Sequence, residues 1–137
     1  MKRLALWIAF IGISGYGVGQ ALALENDALP EQPREVMIGI SDAYIPTGLN
    51  SQSDAYVVVS GIFPNGCYRW SRAEVDHSST AQLHQIQSFA LVKPGMCLMV
   101  LVPFTKQITL GQMTQGTHTL RFLSGDGTYL EKHIEIE

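Results

Sequence analysis

From Arg34 onward this 137-residue chain is built of short apolar segments, cut by turn formers at intervals of roughly 8 to 12 residues. Val36, Ile38 and Ile40 alternate with Met37, Gly39 and Ser41, which predicts a strand with one buried face. Residues 44–54 are rich in turn formers and predict a loop. Residues 55–62 are apolar almost throughout, as a central strand is. Pro64-Asn65-Gly66 is the strongest turn signal, because Asn-Gly readily takes the positive φ angles of tight turns. Residues 68–77 carry alternating charges and predict an exposed or edge strand, closed by a polar turn at 77–80. A further strand is expected over 83–92. After Lys93-Pro94-Gly95, Cys97 opens CLMVLV, an apolar run that predicts another strand, ended by Pro103. Ile108 and Leu110, a Gly-rich corner at 111–116, segments 117–123 and 129–136, and a turn at Gly125-Asp126-Gly127 complete the series. Beyond the first residues no amphipathic helix interrupts it, so the expected fold is all-β: a two-sheet sandwich of seven to eight antiparallel strands.

Residues 1–23 have a different character. Lys2 and Arg3 precede an apolar run over 4–13, and Ala21-Leu22-Ala23 supplies the small-x-small pattern cut by signal peptidases. The run is shorter than the about 20 apolar residues a membrane span needs, and Gly12, Gly15, Gly17 and Gly19 interrupt the stretch toward residue 20. A cleaved signal peptide over 1–23, a flexible lead-in over 24–33 and a sandwich domain over 34–137 are therefore expected, with no membrane insertion of the mature chain. Export places the protein in the periplasm or the medium.

Those compartments are oxidising, and the chain has two cysteines, Cys67 and Cys97, which can form only one internal pair. In the chain-entropy description a loop of that length contributes roughly 3 to 4 kcal/mol when closed. Loss of Lys2 and Arg3 leaves seven basic residues against twelve acidic ones, a formal charge of −5. That balance argues against nucleic acid, whose binders present a basic patch to the phosphates.

Residues 110–118 read L-G-x-M-x-x-G-x-H, and the order GIFPNGCY, PGMCLMVLVPF, LGQMTQGTHTLRF runs along most of the mature chain. This layout resembles small exported bacterial proteins with an immunoglobulin-like fold, in which a tyrosine often stands at the corner position taken here by His118. The resemblance implies an immunoglobulin-like sandwich and bacterial export, and no particular activity.

No GxSxG elbow or local Ser/His/Asp arrangement points to a hydrolase, and no enzyme or cofactor is expected. Glu131, His133, Glu135 and Glu137 share one strand face, as a solvated edge does. Asn50 to Asp54 has one carboxylate, too little charge for calcium. The expected role is a non-enzymatic binding module that meets a protein or glycan partner. Its candidate surface is Tyr68, Trp70 and Arg72, residue types frequent at binding hot spots, with His77 at the adjoining turn. The alternative for Trp70 is a place in the core beside the disulfide. A second reading is a copper or zinc protein using His77 and His84, with Met96, Met99 and Met113 as soft ligands. A third is a protease inhibitor acting through loop 44–54.

Overall fold

The computed structural model describes residues 31–137. The expected signal peptide over 1–23 and residues 24–30 of the expected lead-in lie outside the described residues. Eight strands form two sheets: β1 (Arg34–Ile38), β2 (Asp42–Tyr44), β3 (Ala55–Phe63), β4 (Tyr68–Thr80), β5 (Leu83–Val92), β6 (Val102–Gly111), β7 (Gly116–Leu123) and β8 (Tyr129–Ile136). The smaller sheet has the order β2-β3-β6, and the larger holds β1, β4, β5, β7 and β8. This is the all-β, two-sheet, disulfide-linked architecture expected from the alternation.

β5 is the hub of the larger sheet. One of its edges carries β4 along its length; the other is shared, with β7 beside Leu83 to Gln87 and β1 beside Ser88 to Val92. The β5–β7 pairing is parallel, whereas the other strand pairings are antiparallel. Between β5 and β7 the chain crosses to the smaller sheet as β6, so it returns running in the same direction. The first predicted strand is likewise divided: it leaves the larger sheet after Ile38 and joins β3 in the smaller one as β2.

The inward faces follow the period of two. Val57 and Val59 of β3, Ile86 and Ala90 of β5, Leu120 and Phe122 of β7 and Ile134 of β8 are fully buried together. Removing a Leu, Ile or Phe side chain from water contributes about 1.5 to 3 kcal/mol, so this set supplies much of the drive to fold.

Two segments depart from the sequence reading. The turn expected at 77–80 is part of β4, which continues to Thr80 and turns through Ala81 and Gln82. The run CLMVLV is not a strand. The strand that pairs with β3 along its whole length is β6, which starts at Val102 and includes Pro103, with Phe104, Ile108 and Leu110 facing inward. β3 ends at Phe63, opposite Val102, so residues 96–101 extend beyond the strand that would have paired with them.

The sandwich thus has two distinct ends. At one, Phe63 stacks on Phe104 with ring centroids 4.4 Å apart, and Tyr68 and Trp70 each lie 5.8 Å from one of these rings. The Cys67–Cys97 disulfide closes that end, with Cα atoms 5.3 Å apart. At the other end, where Ala55 meets Gly111 and β4 turns into β5, histidines replace the apolar residues.

Candidate functional site

At the disulfide end the segment 96–101 stands out from the body. Leu98, Met99 and Leu101 are each at least 70% exposed, Met96 is fully so and Val100 is more than half exposed. The segment is nevertheless held. Cys97 is bonded to Cys67 at the start of β4, and Gly66 N–H donates to Leu98 O at 2.9 Å, fixing the loop to the β3–β4 turn. Lys93 N–H donates to Cys67 O at 2.9 Å on the other side of the disulfide. Solvated apolar side chains on a covalently anchored loop form the kind of exposed patch that interaction surfaces present. Arg34, Arg69 and Lys93, with the acidic Glu31 beside them, are exposed around the base of this loop.

The candidate surface read from the sequence is divided. A bulge at Ser71 puts two residues of β4 against one step of β5, so that Trp70 pairs with Ala90 and Arg72 with Phe89. Tyr68 and Trp70 are half-buried against the core, and Arg72 emerges on the outer face. There Arg72 bonds Glu35, 2.6 Å away, and Glu74, and lies over the Phe89 ring. The Arg72 hydrogen bond, with that of Ser71, holds the Glu35 carboxyl below the usual range. Of the four candidate residues, His77 lies at the opposite end of β4 from Tyr68.

The structure brings His77 and His84 together. Asp76 pairs with Gln85, and one step further His77 Nδ1 lies 2.6 Å from His84 Nδ1 across the β4–β5 hairpin. His118 joins them from β7, which the parallel pairing sets beside β5; its Nδ1 is 2.8 Å from His84 Nε2. The far side of His118 ends on the chain itself, with Nε2 2.7 Å from Thr114 O. His77 is exposed, His84 is 5% exposed and His118 1%, so the row runs from solvent into the core.

This chain of contacts fixes where protons sit. A carbonyl can only accept, so His118 carries its proton on Nε2 and, when neutral, accepts at Nδ1. His84 must then donate from Nε2, which turns its Nδ1 lone pair toward His77. Burial, reinforced by the neighbouring His77 and His118, lowers the His84 pKa to about 4, so the ring is neutral at physiological pH. Met113, itself buried, lines the same recess as the three histidines. Met96 and Met99 lie in the exposed loop at the other end. Sequence spacing pointed to His77 and His84 across a hairpin; His118, 34 residues beyond His84, was legible only as a corner residue.

The other segments weighed in the sequence are occupied by local structure. Tyr44 belongs to β2, Pro46 and Leu49 are buried, and Leu49 bridges to Ile136, so much of loop 44–54 is folded onto the body. Asn50 Oδ1 accepts from Gln52 N and Ser53 N at 3.0 Å, which closes a turn. On the exposed face of β8, Glu131 pairs with Arg121 at 3.0 Å and Glu135 accepts from Thr117.

The family model described as the ORF11 beta-sandwich domain matches residues 57–136, from within β3 to the end of β8. The chain belongs to the ORF11 beta-sandwich domain family. The matched part of the chain includes both cysteines, loop 96–101 and all three histidines of the row; β1 and β2 lie before it. No curated protein and no solved structure matches the chain.

Proposed function

We propose that this ORF11 beta-sandwich domain protein is an exported, non-enzymatic binding module that grips a protein partner with the apolar loop 96–101. The observation that carries the reading is the pairing of exposure with restraint: Leu98, Met99 and Leu101 lie in water on a loop held by the disulfide. A restrained loop loses little conformational freedom on binding, and each large apolar side chain contributes about 1.5 to 3 kcal/mol when a partner covers it. Methionine suits such a surface because its flexible thioether adapts to irregular grooves. Arg34, Arg69 and Lys93 near the loop favour a partner whose groove has an acidic rim. A protein fits better than a glycan, because sugars stack on aromatic faces, and Tyr68 and Trp70 turn theirs toward Phe63 and Phe104.

The disulfide supports export, since such bonds persist in oxidising compartments. An immunoglobulin-like type is supported by His118, which bonds back to the carbonyl four residues upstream as the corner tyrosine does in those sandwiches.

The test is a photocrosslinking amino acid placed at Met99 and, as a control, at Glu131 on the exposed face of β8. In producing cells the Met99 probe should trap a discrete heterologous protein that the Glu131 probe does not, and Leu98→Ser should abolish the product while leaving the fold intact. A product of twice the chain mass, or equal trapping at both positions, would overturn the reading.

A further inference from the structure

We propose that His77 and His84 form a two-imidazole site for a copper ion at the histidine end of the sandwich. This inference is independent of the loop reading and rests on a constraint within the histidine row. His84 Nε2 is committed to His118 Nδ1, and His118 Nε2 to Thr114 O, so His84 presents only Nδ1 to the outside. That nitrogen faces His77 Nδ1 at 2.6 Å. Two imidazole lone pairs at such a distance repel, so the contact is held either by an N–H of the neutral His77 ring donated to His84 Nδ1 or by a metal ion that both nitrogens ligate.

The surroundings suit a metal. A histidine ligand ordinarily donates its second ring N–H to a fixed acceptor, which orients the ring and raises its basicity. His84 has that support from His118, which in turn is anchored on Thr114, so the inner ligand is pre-set. His77 is exposed and at the rim, giving an entering ion access. Metal–nitrogen bonds of about 2.0 to 2.1 Å at tetrahedral angles need the two nitrogens roughly 3.3 Å apart. The exposed His77 ring has only to withdraw by less than about 1 Å to reach that separation.

The identity of the ion comes from the remaining donors. Among the described residues no three His, Cys, Asp or Glu side chains form a metal-binding group, so the usual closed four-ligand zinc site is not assembled. What shares the recess is Met113, whose thioether is a soft donor. Thioether favours copper(I), imidazole binds copper in either state, and copper(II) stands above zinc in the general affinity order. His84 sits on β5 where it pairs with β7, and His77 lies just past the last regular β4–β5 pair, Asp76 with Gln85, where the register shifts.

The experiment uses the protein purified from its producing cells and stripped with a chelator. Titration with copper(II) should show one equivalent bound, with nitrogen hyperfine coupling from two imidazoles in the electron paramagnetic resonance spectrum. His77→Ala should weaken binding at least tenfold with an unchanged circular dichroism spectrum, and His133→Ala, an exposed histidine of β8, should have no effect. Absence of stoichiometric uptake would show that a proton holds the pair and would overturn the site, as would uptake indifferent to His77→Ala. Zinc binding as tight as copper would overturn the choice of ion.

Discussion

His84 and His118 hold each other inside the sandwich, Nε2 to Nδ1 at 2.8 Å, across the parallel junction of β5 and β7. Because His84 is held neutral, with its pKa near 4 against an ordinary 6.5, the unfolded chain binds more protons than the folded one between those values. Stability of the metal-free protein is therefore fully present above about pH 6.5 and falls as pH drops toward 4. The loss should reach roughly 2 to 3 kcal/mol, read as a shift in urea midpoint between pH 7.5 and pH 4.5. Glu35 and Asp42, whose pKa values are lowered below the ordinary 4.5 and 3.8, add their own losses from about pH 4.5 downward, so the interval from 6.5 to 5 reports His84. A flat profile from 6.5 to 5 would contradict the buried neutral ring.

Gly61 makes room for Phe104. A Cβ on Gly61 would lie 2.4 Å from the Phe104 ring, itself gripped between Phe63 and Trp70. Gly61→Ala should cost about 1 to 3 kcal/mol through overpacking, and Phe104→Leu in the same chain should recover part of it. A double-mutant cycle by chemical denaturation measures the coupling; strict additivity would show that the contact does not set the packing.

Trp70 and Arg72 lie two residues apart and differ in what they support. Trp70→Ala removes a half-buried ring packed on Phe104 and should destabilise by about 2 to 3 kcal/mol. Arg72→Ala breaks an exposed ion-pair cluster with Glu35 and Glu74 that solvent screens, and should change stability far less. Equal effects in denaturation curves would mean that the Ser71 bulge does not part them.

The disulfide closes a separation of 30 residues, so Cys67→Ser with Cys97→Ser should lower stability by about 3 to 4 kcal/mol. It should also release residues 96–101. Hydrogen exchange at the Gly66 amide, which donates to Leu98 O, would then rise in the double variant while the amides of β5 and β7 stay protected under native conditions.

Ser88 is 1% exposed and its hydroxyl has no hydrogen-bond partner among the described residues, and its neighbours Ile86 and Ala90 on the same face are apolar. Ser88→Ala should be neutral or stabilising by about 1 kcal/mol, because it deletes an unsatisfied polar atom and little volume. A clear loss of thermal stability would reveal a role for the hydroxyl.

Much of the architecture was readable from local chemistry. Asn65-Gly66 and Gly125-Asp126-Gly127 mark turns between paired or packed strands, and the alternation in 129–136 puts Ile134 and Ile136 inside as expected. The cysteine pair had a single internal solution. The division of β1 from β2 was less visible, because one continuous alternation serves either sheet and only the partner strand decides where it changes.

The sequence by itself determined that this chain makes β-strands, roughly where they break, and that Cys67 meets Cys97, since side-chain period, turn geometry and covalent chemistry dictate these. It could not decide between two similar apolar runs: Val57 and Val59 are buried while Leu98 to Leu101 stand in water. Hydrophobicity is the same in both, and the difference lies in which segment found a strand to pair with. His118 reaches His84 for the same reason, through a parallel pairing made possible by a crossover between sheets, and the Ser71 bulge turns Arg72 away from Trp70. Such long-range pairings depend on how the whole chain packs, and that only the tertiary structure decided.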